Sequence, residues 1–277
     1  GGGGKRDFWK EPPLKRIKNA LKTHFNFQLR QGKNLMKKAY FLYFFILCFL
    51  PVKSFGQAQN NVGEYDEKIT AKVINGIECV LVKAGTFTMG SPSNESNRKS
   101  DETQHQVTIN QDFWISKYPV TNAQYGNSQN DNNPVVNITW TQANEWANGK
   151  GGQLPTEAQW EFAARGGVKS KGYIYSGGDN LDDVAWYHNN SSSGIKAVGQ
   201  KKPNELGIYD MSGNVYEWCG DWYGSYPKNG STKGVSRVMR GGSWSFDERH
   251  CRVASRYYGY QSYRSGSLGF RVVFSAN

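Results

Sequence analysis

Cysteine and histidine are scarce, at four residues each in a chain of 277. Cys48, Cys79, Cys219 and Cys251 fit neither a zinc-binding nor a CxxC spacing, which excludes a cysteine-rich metal module and a thioredoxin-type redox site. His105, His188 and His250 have no spacing that gathers them into a metal triad, and isolated histidines mostly serve hydrogen-bonded structure or the surface. No apolar run is long enough for a stable membrane span; the longest, Ala39 to Leu50, stops well short. Neither a Ser-His-Asp pattern nor a phosphate-cradling glycine motif occurs, and Asp182 and Asp183 read as loop solvation rather than an acid/base pair. Acids are also rare at the start: residues 1–56 hold 12 bases but only Asp7 and Glu11, which leaves 22 bases and 21 acids for the rest. The formal charge of +11 is therefore local, and nucleic acid is not expected as a partner.

Residues 36–56 have the three parts of a secretory signal: Lys37 and Lys38, the apolar run, and the small residues Ser54 and Gly56. They predict export through the secretory pathway to the periplasm, the cell surface or the exterior. Residues 1–35 precede the first methionine, Met36, and are read as an upstream basic segment that is disordered or not native. Residues 57–73 read as a polar linker and 74–277 as the folded domain. Three cysteines remain after the signal, and one structural disulfide, with Cys219 and Cys251 the first choice, outranks metal or redox chemistry.

Within the domain, "ECVLVKAGTFTMGS" and "HQVTINQDFWISKYPVT" predict strands, with His105, Val107 and Ile109 on one side of the second. "SPSNESNRKSDET" between them reads as a solvated loop. Thr139 with Gln142, and Thr156 with Gln159, match the capping-box spacing and predict two helix starts. Beyond Gly167 the chain is rich in glycine and aromatics without a helical period, which makes the fold class α+β.

"AGTFTMGS", "YPVTNAQY", "GGQLPTEAQWEFAARGG", "NELGIYDMSGNVYEWCGDWY", "RVMRGGSW" and "LGFRVV" stand in the order and spacing of the formylglycine-generating enzyme (sulfatase-modifying factor) family, which the chain resembles from about Gly76 to Val273. The resemblance implies a C-type-lectin-like fold with much irregular structure. The oxidising members bind copper through two cysteines five positions apart. In "ERHCRVASR", with Arg252 and Arg256 on the family's arginines, those positions hold Glu248 and Val253, and Cys251 stands alone in the window. Reduced copper needs thiolates, so no copper and no catalytic residues are expected. A calcium site carries over better, implying Asp210, Gly213, Val215 and Glu217 as ligands, a donor set that suits a hard cation.

The region from Ser243 to Ser267 separates into two interleaved sets. Trp244, Cys251, Arg252, Ala254, Arg256 and Arg264 match the family skeleton. Between them stand Ser245, Phe246, Asp247, His250, Ser255, Tyr257, Tyr258, Gly259, Tyr260, Ser262, Tyr263, Ser265, Gly266 and Ser267. The second set has the composition of a paratope, in which tyrosine supplies contact area with few torsions to freeze and serine and glycine supply adaptable spacing. Every member has a codon ending in C or T, as if drawn from Asn codons with randomised adenines. The chain resembles in this the variable proteins of diversity-generating retroelements, and Glu248 and Gln261 are then expected to be fixed. These features predict an exported, non-enzymatic display protein whose partner is a protein or glycan on another cell or phage. An enzyme of altered chemistry and a structural envelope scaffold are the alternatives.

Overall fold

An Asn75-Gly76 turn, with both residues in the left-handed region (φ 48° and 82°), reverses the chain between β1 (Ala71–Ile74) and β2 (Ile77–Val82). β1 thus begins inside the segment expected to be linker, because this Asn-Gly pair is a hairpin signal. The computed structural model describes residues 69–127, 131–226 and 234–276, all within a compact unit spanning Asp66–Asn277. The other unit, Gly1–Tyr65, lies outside the described residues, as do the expected upstream segment, the signal and residues 57–68.

Each of the two long extended stretches divides. The first gives β2 and β3 (Gly85–Met89), the second β4 (His105–Ile109) and β5 (Phe113–Ser116). β3 pairs only with β4, whereas β2 and β5 join a sheet of order β1-β2-β5-β10, completed by Val273–Ser275 (β10). One face of this sheet carries Ile77, Cys79, Trp114 and Phe274, the other Val80, Val82, Phe113, Ile115 and Val273. The period of two thus feeds two separate cores.

Both capping-box helices form: α2 (Trp140–Gly149) behind Thr139 and α3 (Glu157–Ala164) behind Thr156. A third box, Thr121 with Gln124, opens the short helix α1 (Asn122–Tyr125). α2 buries Ala143 and Ala147 in the first core, and α3 buries Trp160, Phe162, Ala163 and Ala164 in the second. Gly166, at φ 90°, ends α3 with the left-handed residue helices prefer there. One further short helix, α4 (Leu181–Val184), was not visible in the sequence pattern.

The second four-stranded sheet has the order β8-β7-β6-β9: Arg256–Gly259, Arg237–Arg240, Tyr216–Trp222 and Leu268–Phe270. β9 runs parallel to β6 and the other pairs are antiparallel. The "LGF" motif closes this sheet, and β8 forms its edge. The observed architecture is the expected mixed α+β body, with few helices, many short strands and long irregular connections.

Candidate functional site

Four arginines anchor the C-terminal segments, and all are buried: Arg240, Arg252, Arg256 and Arg271. Arg271 grips Glu217 with two bonds, from Nε to Oε2 (2.7 Å) and from Nη2 to Oε1 (2.8 Å), and donates to the Ser116 carbonyl (2.9 Å). Arg256 grips Glu157 in the same bidentate way, at 2.6 and 2.8 Å. Arg240 pairs with Glu161, which also accepts from Arg165 and from the Gly90 amide. Burial alone would raise the Glu161 pKa, but Arg165 and Arg240 outweigh it and hold the carboxyl below its usual range. Planar guanidinium forks on planar carboxylates fix direction as well as distance, so these pairs set the course of the backbone between them.

The loop read as merely solvated is held by the same device. Arg252 donates to Glu95 (2.6 Å), to both oxygens of Glu102 (2.8 and 2.7 Å) and to the Asn97 carbonyl (2.8 Å). Arg256 reaches the Asp101 carbonyl (3.0 Å), and the Tyr223 hydroxyl donates to the Asp101 carboxylate (2.6 Å). Residues 95–102 are thereby clamped beside β8.

Against this buried lattice, the interleaved tyrosines turn outward: Tyr257 is 38% exposed, Tyr258 52%, Tyr260 64% and Tyr263 47%. The change occurs within one peptide bond, since Arg256 is only 3% exposed. On the edge strand β8, Tyr257 is opposite Met239 and Tyr258 opposite Val238, so the two rings leave from opposite faces while both reach solvent. A chain of rings results. Tyr223 packs on Tyr258 (4.4 Å between centroids), Tyr258 on Tyr257 (6.0 Å), Tyr257 on Tyr216 (5.5 Å), Tyr216 on Phe246 (5.2 Å) and Phe246 on His250 (4.9 Å). Offset and edge contacts of this kind restrict the rings without hiding them.

The remaining predicted residues divide by position. Ser245 and Ser262 are exposed, and Phe246, Asp247, His250, Gly259, Ser265 and Gly266 are half-buried. Asp247 caps a short 3-10 turn, where it accepts from the Arg249 amide (3.1 Å) and lies 3.0 Å from His250 Nδ1; bonds from Arg249 and His250 keep its carboxyl well below the usual range. Ser255 and Ser267 are corrections to the predicted surface. They are 3% and 8% exposed, because Ser255 stands on the buried approach to β8 and Ser267 on the approach to β9. Gln261 has a structural tie: with its amide turned to satisfy both ends, its oxygen accepts from Arg237 Nη2 (3.0 Å) and Nε (3.2 Å). Arg237 is itself stacked between Trp140 and Trp222, at 3.7 and 3.5 Å. Among the described residues, no hydrogen bond or ion pair ties Glu248 in the same way.

Sequence reasoning missed Tyr216, Tyr223 and Lys99 as neighbours of this face. Tyr216 and Tyr223 read only as part of a family motif, and Lys99 lies more than 150 residues from Tyr257, with no local pattern to join them.

In the loop predicted to hold calcium, Asp210 takes a left-handed backbone (φ 57°) and is 3% exposed. Its Oδ2 accepts from the Gly199 amide (2.8 Å), but Oδ1 has no partner, and burial pushes the carboxyl up to about 6. An orphaned, desolvated carboxylate oxygen is what a hard cation would satisfy. Glu217 fits less well, because both its oxygens already accept from Arg271 and one also from Trp160 Nε1 (2.6 Å). Gly213 and Val215 are buried on the same turn into β6.

The expected disulfide is corrected. Cys79, Cys219 and Cys251 are free and buried, each in a different core cluster. Burial pushes the Cys79 thiol up to about 12 and also raises Cys219 and Cys251 well above the ordinary thiol value. Thiols kept protonated in this way are poor metal ligands. The copper window does not fit a dithiolate site: Cys251 and Val253 are buried and Glu248 is exposed. Among the described residues, no three His, Cys, Asp or Glu side chains gather as a metal centre.

The mixed α+β body, with few helices and many short strands, is of the formylglycine-generating type of domain. The model of the sulfatase-modifying factor enzyme 1-like domain matches residues 65–128 and 126–276, and the chain belongs to that family. It is 33% identical over 231 residues to the chaperone protein LppX of Paenibacillus barcinonensis, covering 60% of this chain and 78% of that one. It is 34% identical over 171 residues to the formylglycine-generating enzyme of Streptomyces coelicolor, covering 53% of this chain and 54% of the enzyme. The chain thus spans about half of that enzyme's length. Among solved structures, Treponema denticola variable protein 1 superposes with a TM-score of 0.64 at 25% identity, covering 74% of this chain and 98% of that one.

Proposed function

We propose that this protein is an exported ligand-binding protein that displays the Tyr257, Tyr258, Tyr260 and Tyr263 face to a partner on another cell or phage, and that it does not oxidise cysteine. The observation that carries the reading is the separation inside one segment: arginines buried in ion pairs, tyrosines 38–64% exposed. A chain that only closes a fold gains nothing from leaving four phenol rings in water, whereas a binding surface needs large, torsionally poor side chains presented on a stiff base. Likeness in fold to a variable protein supports the reading. Diversification by a retroelement would explain why the interleaved set holds only residues that codons ending in C or T can encode, and the tie between Gln261 and Arg237 gives one exception a structural reason. The surface is smaller than the predicted set by Ser255 and Ser267, and His250 contributes through its ring packing on Phe246.

Against the enzymatic alternative, the positions for paired thiols hold Glu248 and Val253, and the lone Cys251 is buried. Calcium belongs to the proposal as a structural ion: Asp210 Oδ1 would anchor it, and Glu217 would take part only while still bound to Arg271. Bound calcium would supply charge compensation to the loop that leads into β6.

Sequencing the DNA that flanks the gene tests the display reading. A near-copy of the 3′ end carrying Asn codons at the interleaved positions, beside a reverse transcriptase gene, is the expected result. A solitary gene, invariant at those positions among sister strains, removes diversification.

A further inference from the structure

The clamped loop does more than cover β8. It carries Lys99 to the tyrosine face, with its ammonium 5.8 Å from the centre of the Tyr257 ring. The placement is over-determined, since Arg252 holds Asn97 and Glu102 on either side and the Glu102 amide donates to the Lys99 carbonyl (3.2 Å). No carboxylate among the described residues lies within ion-pair reach of Lys99, so the Tyr257 ring is its neighbour and no acid competes with a partner for it. The rest of the face has the same sign. Arg264 is exposed beyond Tyr263 without a carboxylate among the described residues, and Asp247 is paired with Arg249. Glu248 is the one acid there without a hydrogen bond or ion pair among the described residues, and the neighbouring Arg249 offsets its charge.

We infer that Lys99 is a fixed contact of the binding face, unchanged while its neighbours vary, and that the partner is a protein presenting an acidic patch. This rests on the display reading above. A protein is favoured over a glycan by the shape and composition of the face. Projecting tyrosines with arginines at the rim are the make-up of protein interfaces, whereas small-ligand sites are concave. Two cavities among the described residues open elsewhere, one beside Ile69 and Leu206, the other beside Gln111 and Phe274. A constant cation beside variable side chains would speed encounter with acidic surfaces whichever residue occupies position 257.

Panning a random-peptide phage library on the full chain, followed by titration of the enriched synthetic peptides, tests this. Enriched peptides should be richer in Asp and Glu than the library. Their Kd should rise about three- to fivefold for Lys99→Gln, as expected for a rim charge pair. Lys99→Arg should restore it, Lys83→Gln, remote and paired with Asp112, should leave it unchanged, and added salt should remove the difference. Peptides that depend on Tyr257 and Tyr258 but show neither acid enrichment nor sensitivity to Lys99→Gln overturn the inference and leave the display reading standing. Peptides indifferent to Tyr257→Ala and Tyr258→Ala, or no enrichment at all, count against the display reading itself. Tyrosine-dependent binding of acidic glycans on an array, with no acidic peptide selected, overturns the assignment to a protein.

Discussion

Arg256 and Tyr257 are adjacent in the chain yet belong to different regions of the molecule. One fixes the fold and the other faces solvent. Arg256 is bound through both nitrogens of its fork to Glu157, while Tyr257 leans on Tyr216 with more than a third of its surface in water. The same contrast recurs between Arg252 or Arg271 and Tyr258, Tyr260 or Tyr263. A domain can therefore hold its backbone with side chains that must not change and, between them, carry side chains whose loss the fold barely registers.

The largest expected effect lies on the buried side. Arg271→Ala leaves Glu217 charged, buried and unmatched, and should cost about 3–5 kcal/mol in denaturant unfolding, the usual result of breaking one half of a buried pair. A loss below about 1 kcal/mol would mean that the arginine lattice does not set the fold. On the exposed side the expectation moves from stability to binding: truncating Tyr257 or Tyr258 to Ala should weaken a captured partner by about 2 kcal/mol or more at whichever ring is central, measured by titration calorimetry.

A smaller effect concerns Asp210. Its folded-state carboxyl, at about 6, lies above the unfolded value, so the protonated acid is the form favoured by folding. Its contribution is fully present below about pH 4 and is lost as pH rises through 6. Without calcium, the wild type should gain stability relative to Asp210→Asn as pH falls from 7 to 4. Added calcium should reverse the disadvantage at pH 7, and an unchanged melting temperature with calcium or chelator would remove the ion from the account. Smallest of all, incubation with copper and a cysteine-containing peptide should yield no aldehyde by mass spectrometry. Aldehyde formation would restore the enzymatic reading despite Val253 and Glu248.

How much of this was readable from the chain follows the range of the interactions. The capping boxes at Thr139 and Thr156 are local and gave two helices correctly, while the box at Thr121 was passed over because its helix is only four residues long. Extended runs were visible but not their division, since β3 and β4 leave the main sheet at short turns around Lys83 and Gln111 that carry no strong breaker. The arginine lattice was legible only as a family skeleton. Its partners lie 54 to 157 positions away, as with Arg271 and Glu217 or Arg252 and Glu95, and no spacing rule joins such residues. For the same reason the loop around Lys99 read as solvated. The outward set was legible through composition, which does report on a surface, but composition could not see that Ser255 and Ser267 stand where the backbone dives into the sheet.

The separation itself is tested most directly by replacing Tyr257, Tyr258, Tyr260 and Tyr263 together with serine and measuring urea unfolding beside Arg256→Ala. The quadruple variant should unfold cooperatively with a total loss below about 2 kcal/mol, as for surface positions, while the single arginine change costs about 3–5 kcal/mol. Collapse of the serine variant, with the arginine variant intact, would show that the phenols are part of the core and that the face does not exist.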